Sequence, residues 1–165
     1  MTHPTENVWD YPRPPRLERV AWPVRIEHGG ATIASAPEVL RVLETSHPPV
    51  YYIEPRYLVP GVVRASARPA THCEWKGRAH YIDLVVGEGR DRVVVEAAGW
   101  SYPKPVAAFA ELAGAIAFYA SRVDRCTVDD EEVQAQDGDF YGGWITSWIS
   151  GGDRGFKGGP GTWGW

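Results

Sequence analysis

Cysteine is nearly missing from this sequence: Cys73 and Cys126 are the only two in 165 residues, and no Cys-x-x-Cys pair occurs. A disulfide scaffold is therefore not expected, and neither is a tetrahedral zinc site. Long apolar runs are missing too. The longest, residues 107–120, is interrupted by Glu111 and Gly114, well short of the roughly 18 apolar residues that suggest a membrane-spanning helix. The start, Met1-Thr2-His3-Pro4-Thr5-Glu6-Asn7, lacks the basic segment and apolar core of a secretory signal, so a reduced, cytoplasmic setting is the expectation. There is no excess of positive charge. The net charge of −4 argues against a protein that coats nucleic acid or a membrane surface. His-Glu-x-x-His is absent, and so is the Gly-Lys-Ser/Thr of a phosphate-binding P-loop. No resident metal or cofactor is expected.

What is present is glycine, proline and tryptophan. Gly 18 and Pro 14 make up about a fifth of the chain, which disfavours a helical bundle. Eight tryptophans are an unusual load of large rings. Residues 1–22 hold Trp9, Tyr11, Pro12, Pro14, Pro15 and Trp22, and read as an extended arm lying on the domain. Residues 23–141 read as one domain. Val24-Arg25-Ile26-Glu27 and Ala31-Thr32-Ile33-Ala34 flank His28-Gly29-Gly30 as a hairpin. Residues 39–44 fit either a strand or a helical turn, because six residues are too few for periodicity to decide. Val50-Tyr51-Tyr52-Ile53 reads as a buried strand. Residues 79–86 and 92–97 form a second hairpin around Gly87-Glu88-Gly89, and residues 105–113 read as one short α-helix between Pro105 and Gly114. Strands follow at residues 116–119 and 125–128. The order hairpin, connector, strand thus occurs twice, a faint internal echo. The expected fold is mainly β: a small antiparallel two-sheet or open-barrel domain with one short α-helix.

Residues 142–165 change character. Gly recurs among Trp144, Trp148, Trp163 and Trp165, whereas flexible linkers carry glycine without large rings. A Gly/Trp-rich extension docked on the domain is expected, with Lys157 turned toward a cleft.

Three clusters can carry chemistry. In His72-Cys73-Glu74-Trp75-Lys76-Gly77, Cys73 beside His72 and Lys76 is a candidate nucleophile. Against that, neighbours on a strand point to opposite faces, and a lone cysteine is most often packing. Lys76 is the better candidate, as an anion clamp, with Gly77 allowing a ligand or backbone to approach. In Glu44-Thr45-Ser46-His47, a carboxylate and an imidazole three apart can share a proton and act as general base, or can simply form a capped turn. In Trp100-Ser101-Tyr102-Pro103-Lys104, Trp100 and Tyr102 can join Tyr51, Tyr52 and Trp75 as walls of an aromatic cleft, or can be core.

The runs Leu43-Glu44-Thr45-Ser46-His47-Pro48-Pro49-Val50-Tyr51-Tyr52, Cys73-Glu74-Trp75-Lys76-Gly77-Arg78-Ala79-His80-Tyr81 and Ala98-Gly99-Trp100-Ser101-Tyr102-Pro103 together resemble the bacterial domain-of-unknown-function 427 family over about residues 20–133. The segments Phe140-Tyr141-Gly142-Gly143-Trp144-Ile145 and Phe156-Lys157-Gly158-Gly159-Pro160-Gly161-Thr162-Trp163-Gly164-Trp165 look like the extension of its longer members. The resemblance implies a nucleotidyltransferase-like label, although the Gly-Ser pair and spaced aspartates that polymerase-like nucleotidyltransferases use to hold metals are missing here. It also implies kinship with β-tent domains, such as methionine sulfoxide reductase B and the ligand-binding domain of cereblon.

Three functions stay open. The leading one is a domain binding a small molecule in an aromatic cleft lined by Tyr51, Trp75, Lys76, Trp100 and Tyr102. The second is a small transferase or hydrolase using Glu44 or His47 as base and Lys76 as anion clamp. The third is a protein-interaction module using the arm and the Trp-rich extension. A small-molecule ligand is the expected partner, and nothing in the sequence fixes an oligomeric state.

Overall fold

The computed structural model describes residues 2–165, and β structure dominates it. Strands in the first half are β1 (Glu6–Asn7), β2 (Arg16–Val20), β3 (Val24–His28), β4 (Ala31–Ala36), β5 (Val39–Leu43), β6 (Val50–Tyr52) and β7 (Val63–Ala65). The second half adds β8 (Thr71–Cys73), β9 (Gly77–Val86), β10 (Val93–Ser101), β11 (Ile116–Phe118), β12 (Arg125–Val128), β13 (Glu131–Glu132), β14 (Gln134–Ala135), β15 (Trp144–Ile145) and β16 (Ile149–Ser150). One sheet runs β11-β10-β9-β7, with β8 also on β9; a second runs β13-β12-β3-β4; a third runs β2-β5-β6. The pairs β14-β15 and β1-β16 are separate, and among the described residues no sheet closes into a barrel.

The hairpins form where alternation meets glycine. Gly29 and Gly30 take φ of +59° and +76° between β3 and β4, a left-handed turn that an L side chain would strain. Strand β5 settles the ambiguity at residues 39–44. All five of its residues are buried, because β2 and β6 flank it and both of its faces are covered. A strand buried on both faces loses the polar half of its alternation, which is why its pattern did not decide between helix and strand. Within the N-terminal arm, Arg16–Val20 follows the last proline of the cluster and pairs with β5 from Arg16↔Leu43 to Val20↔Val39.

The single α-helix expected over residues 105–113 is not formed as such. Ala107–Leu112 is two 3-10 turns kinked at Phe109, whose φ of −117° is not helical. The eight residues between Pro105 and Gly114 are too few to repay the cost of nucleating an α-helix. Phe109 and Leu112 are nonetheless buried.

Alternation along the strands divides the apolar residues into two cores. Leu43, Tyr51, Ile53, Ile82, Leu84, Ile116 and Phe118 belong to one, packed with β3, β4 and the tail residues Trp144 and Trp148. Leu40, Val42, Tyr52, Ala79, Tyr81, Trp100, Tyr102 and Ala117 belong to the other. Tyr81 pairs with Trp100, and Trp100 with Ala117, so these three lie in one row across β9, β10 and β11. Ile53 and Ile116 exchange two backbone hydrogen bonds of 2.8 Å, joining the β2-β5-β6 sheet edge to edge with β11.

Candidate functional site

The second core is not filled. Beside it lies a cavity of about 510 Å³, within the range of roughly 300–1,000 Å³ that small-molecule sites occupy. Strands β5 and β6 supply Val42, Val50 and Tyr52; β9 supplies Ala79 and Tyr81; Trp100 and Tyr102 come from the end of β10. The period of two explains the set: Ala79 and Tyr81, and likewise Trp100 and Tyr102, point to one face. Trp100 donates from Nε1 to Tyr52 Oη at 3.3 Å, and its ring lies 4.8 Å from that of Tyr119. Burial pushes the pKa of Tyr52 and of Tyr102 up, so both are neutral phenols at physiological pH.

The tight connection between β8 and β9 carries Trp75 and Lys76 into the wall. Cys73 pairs with Gly77 across that connection, and Gly77 takes φ +114°. That conformation, rather than lack of space, calls for glycine. A Cβ there would stand 3.5 Å from Lys104 O, and Val106 N donates to Lys76 O at 2.9 Å. The close approach expected at Gly77 is therefore that of residues 104–106. Lys76 Nζ lies 5.7 Å from the Tyr102 ring centroid. Burial works against its charge, but Tyr52, Cys73 and Glu44 outweigh burial and keep its pKa above the ordinary lysine value. Lys76 is a stable ammonium rather than a free amine.

The turn after β5 brings Glu44 and His47 to the same cavity. They do not share a proton, since Glu44 Oε2 is 3.6 Å from His47 Nε2, beyond a good hydrogen bond. Glu44 is held instead by Arg13 at 3.0 Å, and Arg13 also donates to Thr45 O at 2.9 Å. His47 is 7% exposed. Burial, followed by the nearby charges of Lys157, Arg13 and Lys76, lowers its pKa to about 3, so it is a neutral imidazole. Ser46 holds the turn at φ +75°; its N–H donates to Val8 O at 3.0 Å and its carbonyl accepts from Lys157 N at 2.9 Å.

The tail completes the enclosure with Phe140, Tyr141, Lys157 and Trp165. Tyr141 meets the His47 ring edge-on at 4.8 Å and lies 5.3 Å below Lys157 Nζ. Lys157 also donates to Trp165 O at 2.8 Å. Gly142 sits against the aromatic wall, with Trp100 Cη2 only 2.6 Å from where a Cβ would be.

Of the candidates taken from the sequence, Glu44, His47, Cys73, Trp75, Lys76, Trp100 and Tyr102 come together around this cavity. Tyr51 does not line it. Neighbours on β6 face opposite ways, so Tyr51 enters the other core, where it stacks on Trp144 at 5.3 Å, and Tyr52 takes the cavity face. Sequence reasoning missed Arg13, Tyr81, Tyr119, Tyr141 and, as a wall rather than an accessory, Lys157. Strand alternation from Ala79 could have found Tyr81; the others are brought in by segments remote in sequence. No group of three His, Cys, Asp or Glu side chains that could hold a metal ion occurs among the described residues. No helix among them is long and apolar enough to cross a membrane.

No curated protein matches this chain in sequence. A family model described as a domain of unknown function (DUF427) matches residues 16–129, the segment that builds β2 to β12 and the aromatic wall, and the chain belongs to that family.

Proposed function

We propose that this chain binds a small organic molecule in the cavity between β5–β6, β8–β10 and the tail. The observation that carries the reading is the cavity itself: about 510 Å³, walled by Tyr52, Trp75, Trp100 and Tyr102, with a few polar groups among them. Ligand sites have this composition, because apolar walls supply burial and sparse polar groups supply orientation. Aromatic core residues without a ligand role would be expected to close such a space, since interiors pack to crystal-like density.

The chemistry of the polar groups favours binding over general-base catalysis. A base works best with a pKa near the operating pH. His47, at about 3, is too weak a base for that, and Glu44 is ion-paired with Arg13. Tyr52 and Tyr102 are phenols held in their neutral form by burial.

A thermal-shift screen against a metabolite panel tests the reading. A ligand at a hundredfold excess over its dissociation constant stabilises by about 2.7 kcal/mol. A compound that raises the melting temperature of the wild type should lose most of that effect in Trp100→Leu. A shift retained in full by that variant would put binding elsewhere and overturn the reading.

A further inference from the structure

The cavity wall carries two unlike sets of groups. Trp100, Tyr119 and Tyr81 give it aromatic rings, and Arg13, Lys76 and Lys157 bring positive charge near His47. The chain uses lysine sparingly. Lys76, Lys104 and Lys157 are its only three, against 14 arginines, and two of the three line this one cavity. Arginine makes the chain's ion pairs with carboxylates, as in Arg13–Glu44, Arg19–Glu54, Arg41–Glu6 and Arg64–Asp83. Neither Lys76 nor Lys157 has a side-chain carboxylate within 4.0 Å among the described residues. Of the two carboxylates on the cavity wall, Glu44 is taken up by Arg13 and Glu74 is exposed at the rim.

Arg13 is exposed and paired with Glu44, and Lys157 uses one N–H on Trp165 O, so the half-buried ammonium groups of Lys76 and Lys157 keep N–H donors that an added anion can take up. In a protein of net charge −4 this local excess is not a by-product of overall basicity. The neutral state of His47 fits the same picture: Lys157, Arg13 and Lys76 together disfavour a further positive charge there. A neutral imidazole can still donate one hydrogen bond to an anion. The origin of these groups is divided. Lys76 lies inside residues 16–129, the part matched by the family, whereas Arg13, Tyr141, Lys157 and Trp165 lie outside it.

Resting on the binding role proposed above, we infer that the ligand is a small aromatic anion, a carboxylate or a phosphate ester, whose charged group sits between Lys76 and Lys157 while its ring lies against Trp100. Lys157, contributed by the tail, is then a specificity-determining residue: the family core supplies the aromatic slot and one ammonium, and the tail supplies the second.

Three probes of nearly equal shape separate the alternatives: 1-naphthoate, 1-naphthyl phosphate and the neutral 1-naphthamide, each titrated into the full chain by calorimetry. Charge-assisted hydrogen bonds contribute more than neutral ones, so at least one anion should bind about tenfold or more tightly than the amide. Which anion leads identifies the source of the charge. Lys157→Gln should reduce that advantage by about tenfold, and Lys157→Arg should retain most of it. The probe comparison on the wild type needs no variant, so a poorly folded K157Q protein leaves it intact. Equal binding of all three probes would overturn the anion inference and leave the cavity reading standing. An anion advantage unchanged in K157Q would overturn the role given to the tail. Binding of none of the three would overturn the aromatic-anion inference alone, because the thermal-shift screen with Trp100→Leu decides the cavity reading.

Discussion

His47 shows how one residue ties the site to stability. Its imidazole is buried, with Lys157, Arg13 and Lys76 nearby, and its pKa falls from 6.5 to about 3. The unfolded chain therefore takes up a proton between about pH 6.5 and pH 3 that the folded chain refuses. Stability linked to His47 is fully present above about pH 6.5 and is lost as the pH falls toward 3, by at most about 1.4 kcal/mol per pH unit. Urea melts at pH 7 and pH 5 should show this loss in the wild type and a smaller one in His47→Gln; equal losses would mean that the imidazole is not held neutral. The two cysteines give a second contrast at this scale. Cys126 is 2% exposed, and burial pushes its thiol up to about 12, whereas Cys73 lines the cavity. N-ethylmaleimide on the native protein at pH 7.5 should therefore add once, at Cys73, because thiolate character and access both govern the reaction. Peptide mapping that finds the adduct on Cys126 would contradict the burial of β12.

Among the elements, the segment leading from Phe140 to β15 is the one most tightly fitted to the cavity wall. Gly142 has φ +71°, and a Cβ there would stand 2.6 Å from Trp100 and 3.0 Å from Tyr119. Gly142→Ala forces an overpacked contact and a left-handed alanine, at a combined cost of about 2–4 kcal/mol. Urea melts measure it, and a cost below about 0.5 kcal/mol would mean that Trp100 swings aside easily and that the wall is soft. Elements marked by alternation, by a glycine turn or by a short apolar run were the ones legible in the sequence. The hairpins β3–β4 and β9–β10 declared themselves by alternation and glycine. Strand β5 did not, since both its faces are buried, and β2 was masked by the prolines before it. The cavity's core was legible for a similar reason, because Lys76, Trp100 and Tyr102 stand at the ends of strands. Choosing Tyr52 over Tyr51 needed the register of β6, and placing Arg13 and Lys157 needed the docking of both chain ends, neither of which any local pattern encodes.

At the scale of the whole molecule, the two ends of the chain clasp each other. Strands β1 and β16 are parallel, with Glu6↔Ile149 and Asn7↔Ser150, and Glu6 N donates to Trp148 O at 2.8 Å. His3 stacks on Trp148 at 3.8 Å, Trp9 donates from Nε1 to Gly155 O at 2.9 Å, and Arg154 covers the Trp9 ring at 3.8 Å. Trp144 is buried and Trp148 nearly so, while Trp163 is 90% exposed. The Ser46–His47 turn lies in the clasp: Val8 O accepts from Ser46 N, and Ser46 O accepts from Lys157 N. The reciprocal Ile53–Ile116 pairing sits where the twice-repeated order of hairpin, connector and strand brings its two final strands together. It makes a continuous frame that the ends then brace from outside.

Such a clasp makes the order of one end depend on the other, although Gly155 and Trp165 lie 146 and 156 positions after their partner Trp9. Trp9→Ala removes the hydrogen bond to Gly155, the ring under Arg154 and the edge contact with Trp165 at 5.2 Å. Cleavage of a native segment follows the population of its opened form, so weakening the clasp by about 1.4 kcal/mol should raise the rate about tenfold. The expected result is that a protease cuts the wild type slowly between Gly151 and Gly161 and cuts Trp9→Ala about tenfold faster there. Cleavage in the β9–β10 hairpin should stay slow in both proteins, because 1.4 kcal/mol lost at the ends leaves global unfolding rare. Fast cutting of the wild type at residues 151–161 would mean that the tail is not held. Equal rates in the two proteins would mean that the arm does not hold it, and that Lys157 is kept on the cavity wall by its bonds to Ser46, Gln136 and Trp165.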